Sequence, residues 1–232
     1  MFLLPASLFA QFEGAISFRF VNLDKPAEES RYELTASKNR LFLQSEKQVQ
    51  VMQMMNASGL LVRSDLDDFV LIDDENQALT LKNSDINRMI SMFGGSENKV
   101  SKSFDWKNRV TATGNRRTIQ GYEAEEMLLK SNENETISIW LSEEIKLNWG
   151  ILIDFWNTTG KSLTEEELPV ELVMNNNSFP LLIEFKKDDQ LKAKAEVYRV
   201  EKDRFNRDKL EIPKNAEVIG LSDLMMNMFR NR

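Results

Sequence analysis

The sequence predicts an α+β protein that is mainly β, with one curved antiparallel sheet packed on a few helices. Three observations predict it. Apolar and polar residues alternate in short runs over most of the 232 residues, the mark of half-buried strands. The runs follow one another too closely for the long crossover that parallel pairing needs, so neighbours should pair antiparallel. Only in a few places does the pattern change to a helical period. No proline-rich linker and no repeat divides the chain, so residues 11–232 read as one domain.

Phe12, Gly14, Ile16, Phe18 and Phe20 fall on one face and Glu13, Ser17 and Arg19 on the other, which is a strand. Tyr32 to Ala36 and Arg40 to Gln44 predict a hairpin around Lys38-Asn39. Val49 to Met55, Leu60 to Arg63, Phe69 to Asp73 and Ala78 to Lys82 predict further short strands. Gly59, Asp67-Asp68 and Glu75-Asn76 supply the turns. The period then switches. Asn83 or Ser84 can cap, Asp85 sits in the first turn, Ile86, Met89, Ile90 and Phe93 share one side, and Gly94-Gly95 ends the run. This spacing predicts a helix over residues 83–93. Residues 94–103 read as a polar loop.

Strands resume at Trp106 to Thr113, Thr118 to Lys130 and Glu135 to Leu141. Ser142-Glu143-Glu144 can start a helix. The run Ile145 to Trp156 fits both periods, with Ile145, Trp149, Leu152 and Trp156 on a helix face, and the cap favours helix. Phe179 to Lys187 and Leu191 to Glu201 predict a hairpin joined near Asp188-Asp189. In its second strand Leu191, Ala193, Ala195 and Val197 alternate with Lys192, Lys194 and Glu196. Leu210 to Pro213 reads as a short edge segment. A helix at residues 222–229 carries Leu224, Met225, Met228 and Phe229 along one side.

The chain holds no histidine and no cysteine. That removes thiol nucleophiles, histidine-assisted triads and the usual zinc ligands. A globule of this length hides roughly 70% of its unfolded surface, so packing can replace disulfides. The net charge is −7, which argues against nucleic acid as a general partner, though not against a small local basic patch such as Arg116-Arg117. Residues 1–10, MFLLPASLFA, are apolar and end in Ala before Gln11. They read as the remnant of a secretory signal cleaved after Ala10, without its basic start. No run is long enough to span a membrane, so the expectation is a soluble exported protein.

The remaining acid-base groups are carboxylates. Glu143-Glu144, Glu165-Glu166-Glu167 and Asp67-Asp68 are sequence neighbours. Glycoside hydrolysis needs two carboxyls facing each other across a sugar, and neighbours on a turn or helix start do not. Asp65-Leu66-Asp67-Asp68 lacks the alternation of a calcium loop. There is no G-x-S-x-G and no phosphate-cradling glycine loop. The four N-x-S/T sites, at Asn56, Asn134, Asn157 and Asn176, read as chance in an asparagine-rich chain. The composition thus predicts no enzyme, no metal and no cofactor. Methionines cluster at Met52, Met54 and Met55, at Met89 and Met92, and at Met225, Met226 and Met228. Methionine suits a surface that accepts varied apolar partners, and equally fills cores. Trp140, Trp149, Phe155 and Trp156 carry the same two readings.

The segment TIQGYEAEEMLLKSNENETISIWLSEE, residues 118–144, resembles a known pattern: an aliphatic residue, G-Y, a charged strand, a polar turn, then a strand ending in W-x-S. F-E-G-A-I at residues 12–16, F-P-L-L-I-E-F at 179–185, L-E-I-P at 210–213 and the closing Met-rich helix continue it. Together they resemble exported bacterial domains of unknown function in the LolA-like, lipoprotein-carrier superfamily, of the type common in Bacteroidota. The resemblance implies an incomplete, half-open antiparallel barrel around helices, with an apolar cavity. It implies a periplasmic or outer-envelope protein that binds a lipid or lipoprotein acyl chain, or a protein-binding, scaffold or envelope-stress module that uses the sheet edge. Where those domains commonly carry Cys after G-Y, this chain has Ala124, so no disulfide or metal role carries over. No residue matches the carriers' lid-holding arginine. Phe18, Phe20, Met89, Phe93, Trp149 and Met225 are the candidate lining of the cavity.

Overall fold

The structure, a computed structural model, describes residues 11–25, 29–51, 55–85, 110–132, 134–155, 173, 177–223 and 226. Among the described residues, twelve strands form one sheet: β1 (Gly14–Asn22), β2 (Ser30–Ala36), β3 (Arg40–Val51), β4 (Met55–Arg63), β5 (Asp68–Ile72), β6 (Gln77–Lys82), β7 (Val110–Ile119), β8 (Tyr122–Asn132), β9 (Glu135–Lys146), β10 (Ser178–Lys187), β11 (Gln190–Lys202) and β12 (Glu217–Gly220). Their spatial order is β12-β6-β5-β4-β3-β2-β1-β11-β10-β9-β8-β7. The sheet is curved and not closed, because β12 and β7 stand at opposite ends of that order. The expected mainly β fold with few helices is the observed one.

Antiparallel registers carry one apolar row across the first half of the sheet. Ile16 lies opposite Leu34, Leu34 opposite Leu43, Leu43 opposite Leu60, Leu60 opposite Leu71 and Leu71 opposite Leu79. The second half continues it, with Ala195 opposite Ile183, Ile183 opposite Ile139 and Ile139 opposite Met127. Cross-strand neighbours share a face, so this is a single core face. A short helix, α1 (Ile151–Phe155), packs on it through Ile151, with Leu152 and Ile153 partly buried beside it. Val173 and Leu221 join the same core.

The loop before α1 is pinned at several points. The amide of Phe12 donates to the carbonyl of Lys146 at 2.8 Å, and that of Leu147 to Asn177 at 2.7 Å. Asn148 Nδ2 donates to the carbonyl of Lys38 at 3.1 Å. Gly150 has φ +47°, and a Cβ there would run into the Ser64 hydroxyl. Only glycine satisfies both conditions without strain.

Part of the opposite face has its own small core. Phe42, Leu61, Val70, Ile72 and Ala78 are buried there under Leu210, with Phe205, Ile212 and Ala216 beside it. Leu210 ends a 3-10 turn, Arg207–Leu210. Salt bridges hold this strap: Arg40 to Glu211 and Asp65, Lys209 to Glu33, and Arg207 to Glu13. Asp65 and Glu211 together hold the Arg40 guanidinium charged well beyond its ordinary range, Asp65 contributing most.

Several local expectations are corrected. Val49 to Met55 is not one strand: Val51 pairs with Met55, so the run folds back on itself. Thr118 to Lys130 likewise contains a hairpin, since Ile119 pairs with Tyr122 across Gln120 and Gly121, at φ 52° and 86°. Two positive φ values in a two-residue loop are the hairpin geometry that matches strand twist. Asp188 and Asp189, at φ 50° and 59°, make the same turn where the sequence placed it. Asp68 lies in β5 rather than in the turn. Ser142-Glu143-Glu144 starts no helix, because β9 runs on to Lys146 and the helix that follows it is Ile151–Phe155. Leu210 to Pro213 is not the edge segment. The edge strand on that side is β12, and it pairs parallel with β6, against the all-antiparallel expectation. The intervening strands β7 to β11 supply the long crossover that parallel pairing requires. The expected helix over residues 83–93 is helical at 83–85 and otherwise lies outside the described residues, as do residues 1–10 and most of the terminal helix.

Candidate functional site, an apolar strip on the β1, β11 and β10 seam

Burial along β1 falls from one end to the other. Ala15, Ile16 and Ser17 are buried, Phe18 is half-buried and Phe20 is 37% exposed. The apolar row does not stop where the burial stops. Phe20 lies opposite Ala195, which lies opposite Ile183. One step along, Ala193 lies opposite Phe185, which lies opposite Ile137. Ala193, Ala195, Ile183 and Phe185 are all half-buried. Alanine rises little above the sheet, whereas Phe18, Phe20, Ile183 and Phe185 flank it on both sides. The sequence therefore makes a shallow apolar strip along β11 with taller walls.

The closed end of the strip is aromatic. Phe18 stacks on Tyr32 with ring centroids 5.2 Å apart and meets Phe179 edge to face at 5.4 Å. Phe179 stacks on Trp149 at 6.2 Å. Trp149 is buried, and its indole Nε1 donates to the carbonyl of Ser178 at 3.1 Å. Such ring pairs contribute about 0.5–1.5 kcal/mol beyond their burial and hold geometry tightly.

The other face of the same strands is charged. Arg19 and Lys194 both donate to Glu196, at 2.8 and 2.7 Å. Burial pushes the Glu196 carboxyl up, but the bonds from Lys194 and Arg19 outweigh it and hold it below the ordinary 4.5. Further out, Glu126 accepts from Ser138 at 2.6 Å, Asn115 at 2.7 Å and Thr113 at 2.9 Å. Burial again opposes ionisation there and the three hydrogen bonds prevail. The Arg116-Arg117 pair is not a free basic patch: Arg116 bonds Glu123 at 3.0 Å, and Arg117 lies 4.0 Å above the Trp140 ring. Alternation thus gives one sheet an apolar side and an ion-paired side.

Of the six expected lining residues, the structure joins Phe18 and Trp149 through Phe179 and sets Phe20 at the exposed end of the same row. Met89, Phe93 and Met225 lie outside the described residues. Phe179, Ile183, Phe185, Ala193 and Ala195 were not singled out as lining from sequence. Their alternation was visible, but only the pairing of β10 with β11 and of β11 with β1 shows that they form one surface.

Residues 12–216 match the family model described as Domain of unknown function (DUF4412). The chain belongs to this family. No curated protein matches this DUF4412 chain. Among solved structures it is similar to an uncharacterized conserved protein from Thermus thermophilus, at 10% identity and TM-score 0.42, covering 90% of this chain and 91% of that one. It is similar to MucB in complex with MucA(peri), at 9% identity and TM-score 0.45, covering 92% of this chain and 59% of that one. A LolA superfamily protein from Nitrosomonas europaea is similar at 8% identity and TM-score 0.28, covering 86% of this chain and 89% of that one.

Proposed function

We propose that this protein is a non-enzymatic binding protein of the bacterial envelope that takes a lipid acyl chain along the apolar strip on β11. The observation that carries the reading is the row that outruns the core: Phe20, Ala195 and Ile183, with Ala193 and Phe185 beside them, stay half-open on an otherwise buried face. A water-exposed apolar strip with low relief suits a long, thin apolar ligand. Each methylene taken from water contributes about 0.8 kcal/mol, so no polar clamp is required. The export reading rests on the apolar stretch at residues 1–10.

The test is competition binding with saturated fatty acids of increasing length. Affinity should rise about fourfold per methylene, the equivalent of 0.8 kcal/mol, until the strip is full. Ala195→Phe raises the floor and should abolish binding. An affinity independent of chain length, or unchanged in Ala195→Phe, would sink the proposal.

A second reading is strand addition by an envelope protein at the β7 edge. Residues 111–118 of β7 are exposed, and among the described residues β7 is paired only with β8. An exposed edge presents unpaired backbone groups to a partner strand. The register breaks between Ala112 and Arg116, which limits any added strand to the segments on either side. Pulldown of a stoichiometric protein that is lost in a β7 proline variant, with no lipid in the extract, would favour this reading over the first.

A further inference from the structure

The face opposite the apolar strip carries a groove of about 240 Å³, whose lining includes Ser17, Arg31, Glu33, Gln44, Ser45 and Tyr198. We infer that this groove binds a neutral polyhydroxylated ligand of monosaccharide size, with Tyr198 as its stacking platform.

Two independent observations carry the assignment. The first is a β-bulge. Ser17 pairs with Arg199 and Phe18 with Val197, so Tyr198 is the extra residue with no partner on β1. A bulge turns a side chain away from the regular alternation. Here it turns out a tyrosine that is 42% exposed beside the groove. An aromatic face beside hydrogen-bonding groups suits a sugar ring, which offers C–H bonds on one side and hydroxyls at its rim.

The second observation is Ser17. It is 6% exposed, it lines the groove, and its hydroxyl has no hydrogen-bond partner among the described residues. The hydroxyl is therefore open to the groove, free to donate to or accept from a ligand or a water there. The rest of the lining is polar apart from the Tyr32 ring, and it includes the Glu46 carboxylate, an acceptor for hydroxyls. Gln44 Oε1 is taken by Lys209 at 3.0 Å, which leaves its amide N–H groups to donate. Glu33 is neutralised by the same lysine at 2.7 Å, and Arg31 is engaged by Glu29 at 2.7 Å. Among the described residues, the groove therefore offers donors and acceptors but no free cation. That excludes phosphate or carboxylate as the preferred ligand, because an anion needs uncompensated positive charge. It is equally poor for an acyl chain, whose burial would strand these polar groups.

The experiment is saturation-transfer NMR with the full chain and three neutral probes: methyl β-glucoside, N-acetylglucosamine and myo-inositol, each at about 5 mM, the range of a few-contact site. Transfer from at least one probe is expected. It should fall at least tenfold in Tyr198→Ala and in Ser17→Ala, and stay unchanged in Leu66→Ala, a variant of an exposed residue outside the groove. Glucose 6-phosphate should give weaker transfer than its neutral parent. Silence from all three probes, full transfer in Tyr198→Ala, or stronger transfer from the phosphate would overturn the assignment.

Discussion

Phe18 and Phe179 meet edge to face, 5.4 Å between ring centroids, at the point where the buried core gives way to the open strip. The two residues are far apart in sequence and come from β1 and β10, on either side of β11. Their contact is the boundary between the buried part of the apolar face and its half-open part.

Truncation along this boundary should separate stability from binding. Phe179 is buried, and Phe179→Ala should cost about 3–5 kcal/mol. Phe18→Ala should cost less, since Phe18 is half-buried. Phe20→Ala should shift stability by no more than about 0.5 kcal/mol while weakening acyl-chain binding. Urea midpoints for the three variants, set beside fatty-acid affinities, check the order. Equal stability losses would contradict it.

Arg63 and Asp68 form a two-pronged ion pair at 2.7 and 2.6 Å, with side chains only 12% and 8% exposed. Asp68→Ala leaves a guanidinium buried without its counter-charge and should cost about 3–5 kcal/mol. Replacing both, as Arg63→Met with Asp68→Leu, should recover most of that loss, since the apolar pair needs no desolvation of charge. Chemical denaturation of the single and double variants decides the point.

Gly150→Ala should destabilise by about 1–3 kcal/mol through its positive φ and the approach of Ser64. Adding Ser64→Gly removes the collision but not the backbone strain, so the double variant should regain only part of the loss. Full recovery in thermal melts would show that φ at this position costs nothing.

Acid should unfold the protein through Glu126 and Glu196. Both carboxyls are held below their ordinary 4.5 by hydrogen bonds that outweigh burial. A depressed folded pKa means that the unfolded state takes up protons first as pH falls. Their stabilisation is therefore complete above about pH 5 and is lost as pH drops below 4.5 through the folded values. Glu126→Gln and Glu196→Gln should each flatten the acid limb of a stability–pH curve. A limb of unchanged slope in both variants would assign acid sensitivity elsewhere.

Local pattern was enough for much of the fold. Alternation marked β1, β2 and β11, and Asp188-Asp189 marked the turn of the last hairpin, because two small polar residues accept positive φ. The same logic missed Gln120-Gly121, where a glutamine occupies the first of the two turn positions. The Ser142 cap signal misled because Ile145 is buried as a continuing strand residue, and tertiary packing overrides a helix start worth about 1 kcal/mol.

The sequence alone determined the mainly β class, the absence of histidine and thiol chemistry, and most strand positions. These follow from composition and from side-chain period, which are local. Only the tertiary structure decided that β11 lies between β1 and β10, that β12 returns parallel to β6, and that Phe20, Ala195, Ile183 and Phe185 share a half-open surface. Register between distant strands is set by which whole faces bury together. No short stretch of sequence carries that information.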